Sequence, residues 1–211
     1  MRISPIPIAA LIVLTGLTSA ASLVGQTTVG IHAGLTRARL ADLEALTEQE
    51  SRSGVRLGVS TTVPVSGSLG LRFAGSYVQA GGGARVPQLE VDYFRLSALA
   101  RVGLAKESRS GGVYFLVGPY WGLRTACSVS VSGGGASFSA DCDARDIQLS
   151  ATDFGVSGGA GLEVGVTNRM GAALEFLYDL GIQGLGGSIP GLGGSKTTRV
   201  FSLLAGLVFS I

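Results

Sequence analysis

Charge is scarce in this sequence. Only 14% of its 211 residues are Asp, Glu, Lys or Arg, where a soluble domain carries about 25%. Lysine is scarcer still, with Lys106 and Lys196 the only two. A hydrated globular exterior is hard to build from so little. The formal balance is +2, far from the basic excess that nucleic-acid binding requires, so no nucleic-acid partner is expected. There is one histidine, His32, and there are two cysteines, Cys127 and Cys142. That set is too small for a metal centre, and no cofactor motif accompanies it. Beyond residue 26 no run of 18 apolar residues occurs, which excludes a membrane-spanning helix there.

What is present points elsewhere. The chain is 46% hydrophobic and holds 34 glycines. Its first 26 residues read as a cleaved export signal. Arg2 provides the positive start, Ile8 to Leu17 the apolar run, and Ser19, Ala20 and Ala21 the small residues before a cleavage site between about 20 and 26. Residues 27–211 then form one domain. An exported, hydrophobic chain without hydrophobic helices fits a transmembrane barrel, whose strands spread the apolar residues along alternate positions.

Period-two alternation predicts strands over 28–36, 53–64, 68–79, 89–104, 112–126, 150–166, 169–183 and 197–210. The predicted fold is all-β, an eight-stranded antiparallel up-and-down transmembrane β-barrel. Connections after the second, fourth and sixth strands are short. Those after the first, third, fifth and seventh are longer, roughly 37–52, 80–88, 127–149 and 184–196. Short periplasmic turns and long external loops have this pattern, and an even strand count puts both termini in the periplasm.

Alternation also sorts the side chains. The apolar face holds Tyr77, Phe94, Trp121, Phe154, Tyr178 and Phe201 near the external strand ends, as an interfacial aromatic girdle requires. The other face is mainly Gly, Ser and Ala, with Arg56, Arg72, Arg95, Arg101, Arg124, Asp153, Glu163, Glu175 and Asp179. Small residues with few charges suit a narrow lumen, and eight strands leave little interior room for bulky aromatics. The apolar face is therefore assigned to lipid. A soluble barrel would turn it inward. Unpaired charges inside would cost several kcal/mol each, so a luminal salt-bridge network filling the tube is expected.

Other features read as scaffold. Cys127 and Cys142 lie in one external loop and, in an oxidising compartment, are expected to form a disulfide. Closing about 15 residues, it would contribute ~3 kcal/mol in the chain-entropy model. Asp141, Asp143 and Asp146 form no complete calcium loop. Asp42, Glu44, Glu48 and Glu50 could make one short amphipathic helical turn. His32 points into the lumen, and no Ser–His–acid motif accompanies it. The glycines of GVSGGAG (155–161) lie in a strand with no helix following, so they cannot cradle phosphate as a helix-opening loop does.

Several segments, in order, carry a family resemblance: VGIHAGLTRARLADL (29–43), VDYFRLSALARVGL (91–104), YFLVGPYWGL (114–123), DFGVSGGAGLEVGV (153–166), LEFLYDLGIQGL (174–185) and RVFSLLAGLVF (199–209). With these the chain resembles the PorT family of bacterial outer-membrane β-barrel proteins. The resemblance implies a barrel in the bacterial outer membrane and implies no particular activity. The expected partners are outer-membrane lipid, the barrel-assembly machinery and a protein or surface ligand at the external loops. The expected state is a monomer. The functional expectation is a non-enzymatic scaffold with a filled polar lumen, needing no cofactor. The alternative is an enzyme modifying lipid or lipopolysaccharide, with His32 in its machinery.

Overall fold

The computed structural model describes residues 26–42, 50–83, 88–104, 111–133, 136–141, 150–182 and 196–211. Within them are nine strands: β1 (Thr28–Asp42), β2 (Glu50–Ser66), β3 (Leu69–Gly83), β4 (Gln88–Gly103), β5 (Gly111–Gly133), β6 (Ala136–Asp141), β7 (Thr152–Gly165), β8 (Met170–Gly181) and β9 (Lys196–Ser210). Neighbouring strands pair antiparallel in the order β4-β3-β2-β1-β9-β8-β7-β5, and β4 pairs with β5. That last pairing closes eight strands into a barrel and leaves no edge within it.

The outer surface is apolar because alternation is strict. Leu35, Leu57, Val117, Leu162, Leu174 and Leu203 are about half exposed or more, whereas Arg95, Tyr93 and Asp179 are at most 1% exposed. Exposed leucine and buried arginine reverse the soluble pattern and match a wall bathed in hydrocarbon.

Three local features shape the wall. β2 and β3 are joined by Gly67 and Ser68 alone, and Gly67 takes φ 52°, a left-handed conformation that glycine adopts without strain. In mid-strand β5, Pro119 has no N–H to give to a neighbour. The β4–β5 register passes from Ser97↔Tyr120 directly to Ala100↔Val117, skipping Gly118 and Pro119. Lastly, Tyr114 and Tyr120 stand cross-strand from Gly161 and Gly155. A Cβ at Gly161 would lie 2.3 Å from Tyr114 Cζ, and one at Gly155 2.6 Å from Tyr120 Cε1. Those glycines are the space the two rings occupy.

The structure departs from the sequence reading at the far end from the termini. There β1 continues to Asp42 and β2 begins at Glu50. Both acids are thus in strands rather than a helical turn, and Glu44 and Glu48 lie outside the described residues. β5 runs on through Cys127 to Gly133 and folds back as β6, so half of the expected 127–149 loop is a protruding hairpin. β3 and β4 likewise extend toward each other, leaving only 84–87 between them. The third connection is therefore short, not long. Alternation S-V-S-V continues through residues 128–131, and main-chain pairing follows it beyond the barrel wall.

Candidate functional site

The barrel interior is filled, and its centre is ionic. Arg95 reaches from β4 with Nη2 2.9 Å from Asp153 Oδ2 and Nη1 2.8 Å from Asp179 Oδ2. Arg56 on β2 donates through Nη1 to the same Asp179 oxygen at 2.8 Å. Asp179 thus joins two strands, each three steps from β8 in opposite directions around the barrel. Its other oxygen accepts from Ser157 at 2.5 Å. Asp153 also accepts from Tyr120 at 3.2 Å and from Thr198 at 3.2 and 3.3 Å. The Arg95 guanidinium lies 4.6 Å from the Tyr120 ring centre and 5.3 Å from that of Tyr93, within cation–π range.

Local register explains how Arg95 reaches its partner. It stands cross-strand from Gly122 of β5, and Gly122 stands cross-strand from Asp153 of β7. A side chain at 122 would press on both, since its Cβ would lie 3.2 Å from Arg95 Cγ and 3.5 Å from Asp153 Cβ.

Toward the end that carries the termini, Arg72 and Glu175 form a second ion pair. Tyr114 donates to Glu175 at 2.6 Å. Arg101 pairs with Glu163 at 3.0 Å and stacks 4.1 Å from the Tyr114 ring centre. These residues, with His32, line a small recess open toward solvent. Its walls are not wholly polar. Leu99, Tyr114, Leu116, Leu177 and Leu204 pack together inside, and Arg72 and Glu175 have Leu99 and Leu204 as cross-strand neighbours. The expectation of a filled polar lumen did not include these leucines. Leucines on luminal positions fill volume that small residues alone would leave empty.

Of the predicted luminal residues, the structure brings Arg56, Arg95, Asp153 and Asp179 into one group and pairs Arg72 with Glu175 and Arg101 with Glu163. Arg124 is half-buried on β5, cross-strand from Tyr93. The sequence reading missed the tyrosines as members of these groups, although Tyr93, Tyr114 and Tyr120 had the parity to reveal them. It also missed Arg52, which bridges Glu90 at 3.2 Å and Asp92 at 3.8 Å toward the far end. His32 is buried, and its Nδ1 has no hydrogen-bond partner. Among the described residues no hydrogen bond links it to a serine and an acid as a nucleophile-activating relay requires.

The expected girdle residues all face outward, as three cross-strand pairs: Tyr77 with Phe94, Trp121 with Phe154, and Tyr178 with Phe201. Tyr178 and Phe201 meet edge-on at 4.9 Å. They sit below the strand ends, since β3 runs on from Tyr77 to Gly83 and β5 from Trp121 to Gly133. Cys127, near the far end of β5, is not a free thiol. Cys142, Asp143 and Asp146 lie outside the described residues, as does the export signal apart from residue 26.

Comparison with known proteins follows from this geometry. A model of the outer membrane protein β-barrel domain matches residues 7–209. Among solved structures, OprG from Pseudomonas aeruginosa is similar with a TM-score of 0.56 at 12% identity, covering 90% of this chain and 97% of that one. Neisserial surface protein A is similar with a TM-score of 0.51 at 16% identity, covering 88% and 97%. At such identities the likeness is one of fold. No curated protein matches the chain in sequence.

Proposed function

The chain belongs to the outer membrane protein β-barrel domain family, and from that premise we propose that it is a non-enzymatic scaffold that presents an external binding surface. It resides in the bacterial outer membrane. The observation that carries the reading is the filled centre. Arg56, Arg95, Asp153 and Asp179 are at most 3% exposed and meet across the barrel axis, which argues for a scaffold rather than an aqueous pore. Eight strands enclose room for side chains and not for a channel.

With the lumen closed, recognition falls to the external end. The β5–β6 hairpin projects there. Among the described residues β6 pairs only with β5, and strand addition to such a hairpin is a recurring mode of peptide recognition. Residues 1–26 are read as the cleaved signal. A disulfide from Cys127 to Cys142 would tie the projecting segment at its base. The chain is read as a PorT-like member of its family, delivered by the barrel-assembly machinery and acting as a monomer, a reading supported by the order of its family-like segments.

The test replaces residues 127–142 with a Gly-Ser turn. The variant is expected to fold and insert as the parent does, yet to lose binding to a ligand selected against the intact protein. Undiminished binding would show that recognition lies elsewhere. A large, stable conductance from the parent in planar bilayers would overturn the scaffold reading itself.

A further inference from the structure

Three arginines stand together on outward-facing positions of β1 and β9, at and just beyond the external edge of the apolar wall. On β9 the outward positions run Phe209, Leu207, Ala205, Leu203 and Phe201, and the next is Arg199. From Phe209 to Phe201 is about 27 Å along a strand. At a tilt of 35–45° that is about 20 Å of height, close to the ~25 Å apolar band of such barrels. An aromatic closes the band at each end, and Arg199 is the first position beyond it on the external side.

Arg199 does not stand alone. It is directly cross-strand from Arg39 of β1, and Arg37 lies one outward position lower, in the row of Phe201. All three are exposed. Among the described residues none of them is in a salt bridge with a carboxylate. Arg37 is held beside the pair by its Nε, which donates to Ser51 Oγ at 2.7 Å. Like charges directly opposite each other in a sheet repel, so an anion between or above them would relieve a cost that the described carboxylates leave in place. The other flank of the barrel is different. Past Tyr77 and Phe94 it offers Gln79 and Asp92, and Asp92 accepts from Tyr77 and lies beside Arg52.

We propose that Arg37, Arg39 and Arg199 form a binding site for the phosphate groups of an outer-leaflet lipid. Height selects this occupant. Interfacial aromatics lie at the headgroup level, and one further outward position adds about 5 Å at the barrel's tilt. The arginines occupy exposed positions on the outward, lipid-side face of β1 and β9 rather than in the external loops. Guanidinium groups match phosphate oxygens with paired, charge-assisted hydrogen bonds. The site therefore ties one side of the barrel, β1 with β9, to a phosphorylated lipid and leaves the β3–β4 side without such a tie. It rests on the outer-membrane setting and not on the loop-binding function.

The experiment uses the full chain in phosphatidylcholine nanodiscs doped with lipid A carrying both phosphates, or with lipid A stripped of them. Lipid retained per barrel is counted by native mass spectrometry. The parent should retain the phosphorylated form and lose the dephosphorylated one. R39A/R199A should retain at least about ten-fold less, the effect expected of losing charge-assisted pairs. R39K/R199K, which keeps the charges but not the guanidinium fork, should recover part of it. Equal gel-mobility shifts on heating will establish that every variant is folded. Equal retention by R39A/R199A, or equal retention of dephosphorylated lipid, would overturn the proposal. So would displacement of the lipid by millimolar inorganic phosphate, which would mark a site for free anions.

Discussion

Arg72 on β3 and Glu175 on β8 stand on opposite sides of the barrel, four strands apart in either direction, and meet in an ion pair across its lumen. Each has a leucine as one of its two cross-strand neighbours, and both are buried. Removing one member strands the other. Glu175→Ala should therefore destabilise the barrel by about 3–5 kcal/mol, whereas replacing both by leucine should come close to neutral. Urea unfolding in lipid bilayers will read both. Equal losses in the single and double variants would mean the pair is not the coupled unit described.

The glycines opposite tyrosines make a second, steric prediction. A methyl at Gly161 would press on the Tyr114 ring at 2.3 Å from Cζ. Gly161→Ala should cost about 1–3 kcal/mol, the range for overpacking. The same substitution at Gly112 meets nothing within 4 Å and should change unfolding far less. A reversed ranking would remove the space argument.

The central group predicts how the lumen responds to dissection. Asp179 holds both Arg56 and Arg95, and Asp153 accepts from Arg95, Tyr120 and Thr198. The intact protein should show no stable open conductance in a planar bilayer. R56A/R95A removes both guanidinium groups from the axis and should admit a measurable ion leak. A silent double variant would assign closure to the surrounding tyrosines and leucines instead.

Trp121 is the only tryptophan, and it is 40% exposed on the outer wall, paired with Phe154. At an interfacial belt its fluorescence should blue-shift on insertion. Quenching should be stronger from lipids brominated near the headgroup than from lipids brominated near the bilayer centre. Stronger quenching from the centre would move the belt off the interface.

Cys127 supplies a chemical check on the external hairpin. Without reductant the unfolded protein should show no reactive thiol, and with reductant it should show two. Folded reduced protein should keep its barrel mobility, because Cys127 lies beyond the β5–β7 pairing, which ends at Leu123 and Thr152. Loss of the barrel on reduction would make the bond part of the core.

Much of this architecture could be read from the residues one strand at a time. Val113, Phe115, Val117, Trp121 and Leu123 alternate with Tyr114, Gly118, Tyr120, Gly122 and Arg124, and period-two geometry then fixes opposite faces for the two sets. Other parts were not legible. Residues 128–141 are so rich in Ser, Gly and Ala that they read as loop, yet the backbone of 128–133 pairs with that of 136–141 as β5 and β6, because a strand already anchored in the barrel can extend its ladder. The leucines inside were hidden for a related reason. Leu99, Leu177 and Leu204 occupy luminal parity, but only the shape of the closed lumen shows that apolar volume is needed there.

The sequence by itself determined which side chains face lipid and which face inward, since that depends only on position along each strand. It also determined that the inward charges must find partners, since burial of an isolated ion is costly. It could not determine the partners. Arg56 and Asp179 are 123 residues apart, and no local pattern links them. Their meeting follows from the stagger of strands around a closed barrel, which sets the height of every luminal residue on each wall. The cross-strand placement of Arg39 against Arg199 is decided the same way, by the β1–β9 register that closes the first strand on the last.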